Sequence, residues 1–464
     1  MNELPFKLNE GLVDPWMTYA ALDTTLVPSV GLTAIALMVS EVDTAIGAVY
    51  FVVGPLIAGM LPDVKWSIGV VSDALLVRGL LGMGTAPLTG WLVARYGVRP
   101  VVMVGGLLTA GFTALTGTVS NPWEFGAIFG VALSAADAFM GQIPSVTIVH
   151  NWFMDRRGVV MGFVNSGAGF GGLVFSPLMA LLIRDFGWRH GLYVLALIIL
   201  VLALPSVFLR NKPRDVGQWV DGVEGREIPP HNQVDVLGTV QTTLGRMVRS
   251  PLYWAVFFIF GVEAWALGTF ASFQVLFLQA QGVGSLASSG ALGFAAGVAA
   301  VAGILFSRLT DKISPYYVLI GSTTLLLIGS ILFISAKNPA VLWSYSFVFG
   351  AGYGILVPTV PVALSRYFGA VEFSKMFGIG QILVGLMGGL GPWVTGQISD
   401  HTGSYTIPIY LVTSLLAASV LIAIAARPRG LRAGRPGQAP PAAPTAAPLD
   451  APVVFPDDYA PEQN

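Results

Sequence analysis

The chain has 464 residues, 54% hydrophobic and only 11% charged, whereas about a quarter of a soluble domain is charged. That balance excludes a soluble globule, while 27 Phe, 13 Tyr, 11 Trp and 56 Gly suit the aromatic belts and close helix contacts of a membrane bundle. A formal net charge of −1 with no long basic run excludes a nucleic-acid binder, and zero Cys excludes disulfides, Fe–S clusters and thiolate metal sites.

The first thirty residues carry Glu3, Glu10, Asp14 and Asp23 and lack an apolar core behind a basic head. They do not read as a signal peptide, so residues 1–28 are expected to be a cytoplasmic segment ahead of a retained first helix. Apolar windows bounded by Gly, Pro and charge predict twelve spans, at 29–58, 67–93, 100–119, 124–150, 158–183, 191–209, 252–280, 284–306, 315–336, 340–366, 375–398 and 405–426. The spacing gives one six-helix half over 29–209, a cytoplasmic connector over 210–251, a second half over 252–426, and a Pro- and Ala-rich, disordered cytoplasmic tail over 427–464. Nineteen of the 24 Lys and Arg fall on the side of the termini, with Lys65, Arg184, Arg189 and Lys337 opposite and Arg78 inside a span. The positive-inside rule then places both termini in the cytoplasm of a multi-pass cell-membrane protein.

The second half echoes the first. Ala94-Arg95 after the second span and Asp311-Lys312 after the eighth are 217 residues apart; Trp152-Phe153 and Tyr367-Phe368 are 215 apart, as are Asp185 and Asp400. Such duplication is common in transporters. The loop Gly90-Trp-Leu-Val-Ala94-Arg95-Tyr-Gly97-Val-Arg99 resembles that of the major facilitator superfamily, with Ala94 where that family has Asp. Trp152-Phe153 with Arg156-Arg157-Gly158, Gly187-Trp188-Arg189 and Gly391-Pro392 followed by Asp400-His401-Thr402-Gly403 resemble the monocarboxylate and oxalate/formate branch. The resemblance spans roughly residues 30–426. It implies an all-α integral membrane protein of twelve transmembrane helices in two pseudo-symmetric halves. It also implies gating loops carrying Gly90, Arg95, Gly97, Arg99, Arg156, Arg157, Asp311 and Lys312, and a pathway lined by the first, fourth, seventh and tenth spans.

A charge left unpaired at the bilayer centre costs at least ~2.5–3.5 kcal/mol, so ionisable residues inside spans need a function or a partner. Glu41 and Asp43 lie in the first span, Asp73 and Arg78 in the second, Asp137 in the fourth and Glu263 in the seventh. Glu41 and Asp43 are about 200° apart round a helix, so both cannot face the cavity squarely. Arg78 cannot deprotonate and demands a carboxylate; Asp43 is the first expected partner and Asp137 the second. Asp73, about 140° round from Arg78, is not an expected partner, and its place near the outer end fits an interfacial role. A desolvated carboxylate lacking a cation can take up a proton, which makes Glu263 the leading proton site with Glu41 behind it. Interhelical ion pairing or backbone bonding is the plainer alternative for each acid. Gln142, Asn165, Gln274 and Gln381 could bond a substrate or join helices, whereas Trp265 and Tyr353 read as packing. Pro55, Pro144, Pro177, Pro358, Pro361 and Pro392 are expected to kink or flex their helices.

No His spacing suits a metal and no P-loop occurs, so no metal or cofactor is expected and an ion gradient must drive any pumping. An intramembrane enzyme lacks a nucleophile and base set. The expected function is a monomeric secondary transporter of a small monocarboxylate-type anion, coupled to protons by alternating access. Carboxylate-binding basic residues, which the branch places in the eighth or eleventh span, are missing from those interiors here. Only Arg78, with Asp137 as a further substrate-binding candidate, could then hold the carboxylate; if Asp43 neutralises Arg78, the cavity is net acidic and a cationic or neutral drug-like solute is the alternative. A transporter-derived receptor ranks lower, because connector and tail are too short for a folded domain.

Overall fold

Two prolines decide where the first half bends in this computed structural model, which describes residues 27–154, 157–223, 244–307, 313–368 and 373–426. Proline removes the hydrogen bond to the residue four back and crowds its carbonyl. Pro55 accordingly ends the helix Val27–Phe51, and Val53–Val64 completes the first span, six residues beyond its expected end at 58. Pro144 interrupts the fourth span in the same way: Leu133–Met140 stops, Gly141 turns extended, and Gln142–Trp152 follows. Ahead of that break lies a π-helical stretch, Gly126–Ala132, a distortion that recurs at functional sites. Pro177, Pro358, Pro361 and Pro392 sit inside continuous helices.

Every regular element among the described residues is helical, and eleven helices there are long and apolar enough to cross a membrane. One of them, Val159–Phe208, has 50 residues, about 75 Å of helix against a hydrocarbon core of roughly 30 Å. It is two passes. Gly187 (φ 80°, ψ 162°) breaks the helix between them, in a backbone region open essentially to glycine alone. Twelve passes result, the others being Ile68–Tyr96, Val98–Thr116, Pro251–Ala280, Ser285–Ser307, Pro315–Ile334, Pro339–Phe368, Phe373–Thr402 and Thr406–Ala425.

The two largest apolar cores follow the two halves, one running from Ile35 to Leu209 with Phe273 added, the other from Met247 to Ala423. The start of the connector is pinned beneath the first of them. Asn211 accepts from the backbone N–H groups of Val98 (2.7 Å) and Arg99 (3.4 Å), capping the third span, while its carbonyl accepts from Asn151 (3.0 Å). Trp152 Nε1 donates to the Arg210 carbonyl at 2.9 Å. Losing an N-cap costs about 1 kcal/mol. Asn211→Ala is thus expected to lower the melting temperature of the purified protein by a few degrees while leaving its transport rate within about twofold; an unchanged melting temperature would remove the cap from the account.

Val27 and Ala425 lie at one end of the bundle, called here the near end; the turns after the first and eleventh spans lie at the far end. Eleven residues along a helix return to nearly the same face, about 20° away and some 16 Å on. Gly79 and Gly90 share such a face of the second span, as do Gly389 and Gly378 on the eleventh. A Cβ on Gly79 would come 2.6 Å from Gly389 Cα, so these backbones touch, whereas Gly90 and Gly378 have no neighbouring atom within 4 Å. The fifth and eighth spans also meet across the halves: Ser176 Oγ donates to the Ser289 carbonyl at 2.9 Å, and Gly293 abuts the Gly172 carbonyl. The second and eleventh spans are therefore in backbone contact at mid-membrane, while nearer the near end Gly90 and Gly378 face open space.

Candidate functional site

Arg78 lies beside Gly79 at the level where the halves touch. Its guanidinium pairs with Asp137 of the fourth span, and only 14% and 16% of the two side chains are exposed. The π-helical stretch and the Gly141 break bracket the turn that carries Asp137. Two further contacts from the same span hold Arg78: Ser134 Oγ donates to its carbonyl (2.8 Å), and its guanidinium carbon sits 4.8 Å from the Phe129 ring centre. The pair is singly bonded. Arg78 Nη1 and Asp137 Oδ1 are buried and have no hydrogen-bond partner, so one donor of a guanidinium fork remains free for a planar acceptor.

Asp43, the first expected partner of Arg78, is not bonded to it. It is 7% exposed and accepts a hydrogen bond from Ser145 Oγ at 3.1 Å. Span geometry explains the correction, because the kink at Pro144 carries Ser145 to the first span while the turn before the break delivers Asp137 to the second. Glu263, 3% exposed, makes no hydrogen bond or ion pair among the described residues. Tyr50 lies within electrostatic reach of both Glu263 and Arg78, and Tyr353 within reach of Glu263 and Tyr50. The first, second, fourth, seventh and tenth spans thus contribute to one polar cluster inside an apolar bundle.

The remaining expected site residues divide. Gln274 is helix-to-helix glue: it is 1% exposed, accepts from Tyr345 Oη at 2.5 Å and faces the Ser288 carbonyl. With Phe51, Phe270, Phe349 and Tyr353 it borders a cavity of about 20 Å³, room for a single water. Gln142 and Asn165 are exposed, Glu41 and Gln381 half-buried, and none of the four side chains takes part in a hydrogen bond among the described residues. In the gating loop, Gly97 (φ 85°) joins the second and third spans, Gly90 faces open space, and the exposed Arg95 stacks on Trp91 and Tyr96, 5.6 Å from each ring. The Arg99 N–H donates to Asn211. Arg156, Asp311 and Lys312 lie outside the described residues, as does the side chain of Arg157.

Sequence reasoning missed Tyr50 and Phe129 and read Tyr353 as packing. Tyr50 stands seven residues after Asp43, two helical turns along one face, a spacing that could have flagged it. Phe129 lies in the π-helical stretch, which shifts helical register and hides such pairings.

Three comparisons bear on what this cluster serves. Residues 44–392 match the family model described as Major Facilitator Superfamily. A probable sulfoacetate transporter of Cupriavidus necator is 26% identical over 358 residues, covering 74% of this chain and 81% of that protein. Monocarboxylate transporter 3 of Rattus norvegicus is 27% identical over 350 residues, covering 74% of this chain and 69% of that protein. Among solved structures, a bacterial homologue of the human lysosomal transporter Spinster, in an inward-facing and occupied conformation, aligns with a TM-score of 0.62 at 14% identity over 89% of this chain and 97% of that one, a likeness of fold. The match to that family over most of the chain, with relatives that are transporters, makes this chain a transporter and not an enzyme, and it belongs to the major facilitator superfamily.

Proposed function

We propose that the protein is a monomeric secondary transporter carrying a small monocarboxylate-type anion with a proton across the cell membrane, by alternating access, with both termini cytoplasmic. The observation that carries this reading is the singly bonded Arg78, a lone mid-membrane cation among the described residues with a spare buried donor. An incoming carboxylate takes that donor and competes with Asp137 for the rest of the guanidinium. Glu263, buried without a cation, is the proton carrier, since its charge would otherwise stand uncompensated. The open space at Gly90 and Gly378 supports a pathway open to the cytoplasm, and the placement of Lys and Arg supports the orientation. The relatives' substrates, sulfoacetate and monocarboxylates by name, support an anion.

A second reading, transport of a cationic or neutral drug-like solute, is favoured by the excess of acid: with Arg78 taken by Asp137, Asp43 and Glu263 leave the centre net acidic. Thermal unfolding of the purified protein against a panel of ligands separates the two. A ligand at a hundred times its Kd stabilises by about 2.7 kcal/mol. Small monocarboxylates are expected to raise the melting temperature; stabilisation by quaternary ammonium compounds alone would transfer the conclusion to the second reading.

A further inference from the structure

Asp73 stands one and a half turns before Arg78 and contributes nothing to the polar cluster. Its carboxylate instead crosses to the other half. One oxygen, Oδ1, accepts from Trp393 Nε1 at 2.8 Å and from Gln397 Nε2 at 2.9 Å, and the same Gln397 nitrogen reaches the Gly69 carbonyl at 3.3 Å. The acceptors Gly69 and Asp73 are four apart on the second span, and the donors Trp393 and Gln397 four apart on the eleventh. Two helical turns therefore meet rung to rung, at the end where the halves are closed. The helices pack closely there: a Cβ on Gly396 would come 3.3 Å from the Ile68 carbonyl oxygen, and one on Gly69 2.9 Å from Asp400 Oδ2. Toward the near end Gly90 and Gly378 of the same two spans face open space.

We infer that Asp73, Trp393 and Gln397 form a releasable clamp that holds the far side of the pathway shut, and that the clamp must open once in each transport cycle. This rests on the alternating-access reading and adds to it the residues that hold the far gate. A carboxylate bond to a neutral donor is stronger than a neutral pair, so the clamp favours the far-closed state. Asp73 is nevertheless exposed, and water can replace its partners at little cost when the halves part. A permanent structural bond between halves that never separate would be better served by a buried pair. Because one carboxylate oxygen receives both side-chain donors, removing that carboxylate releases two rungs together.

Electron–electron distance measurement in lipid nanodiscs tests the clamp. The chain has no Cys, so spin labels on Asp63→Cys and His401→Cys, both exposed at the far end, report the gap between halves without background. In the parent, a short far-end distance is expected to dominate over a longer one. Asp73→Ala, which frees both donors, is expected to raise the ratio of long to short distances about tenfold or more, and Trp393→Phe, which keeps an aromatic side chain but removes the N–H donor, by a smaller factor. Combining the two should add little to Asp73→Ala alone, since that substitution already removes the Trp393 contact. If the parent shows two distances whose ratio neither substitution moves, the clamp is overturned while alternating access stands. A single distance in parent and variants alike would overturn both. Trp393→Phe keeps the experiment decisive should Asp73→Ala fail to fold.

Discussion

Arg78→Gln is expected to reduce anion uptake at least a hundredfold. Two losses coincide in this substitution. The substrate loses its charged, hydrogen-bonding partner, an effect of about 2–5 kcal/mol when one member of a buried charged pair is truncated, and Asp137 is left as a buried acid without a cation. The second loss threatens folding as well as transport, at a cost of about 3–5 kcal/mol. The double variant Arg78→Gln with Asp137→Asn separates them: removing both charges restores stability, because no uncompensated ion remains, yet uptake stays abolished. Asp137→Asn alone keeps Arg78 and frees its guanidinium, so it is expected to retain or tighten anion binding. Uptake surviving in the double variant would show that Arg78 is a structural cation and that the anion binds elsewhere.

Glu263→Gln is expected to uncouple transport without stopping it. The amide matches the carboxylic acid in size, so the packing of the seventh span is kept, but no proton can be carried. Net accumulation driven by a pH gradient should vanish while exchange of labelled for unlabelled substrate continues at near the parent rate. The size of the effect follows from the gradient: with one proton per anion, one pH unit supports about tenfold accumulation, and the variant should fall to none. Accumulation persisting in the variant would move the proton site to Asp137 or Asp43, the other deeply placed acids.

Most of the fold was legible because bilayer-length apolar windows are strong signals; the ends of most spans fall within a few residues of their expected positions. The first span ran long because Pro62 falls in the last turn of its helix and Lys65 closes it in a left-handed conformation, details that a hydropathy window does not resolve. The membrane-buried acids and Arg78 were also legible, since buried charge is costly wherever it occurs. Their partners were not. Whether Arg78 meets Asp43 or Asp137 depends on a π-helical stretch and a proline-induced break in the fourth span, which rotate side chains away from a regular 3.6-residue register. Asp73 shows the same limit from the other side. Its distance from Arg78 round the helix was right, and the interfacial role it suggested missed Trp393 and Gln397, more than three hundred residues away in the other half.

The central claim, proton-coupled transport of a small organic anion, is tested most directly by uptake of labelled small monocarboxylates into proteoliposomes containing only this protein, with and without an imposed pH gradient. Uptake should rise several-fold when the lumen is made alkaline relative to the medium, and a protonophore should abolish the rise. Uptake indifferent to the gradient would contradict the coupling, and an inert anion panel in vesicles that accumulate a cationic solute would contradict the anion itself.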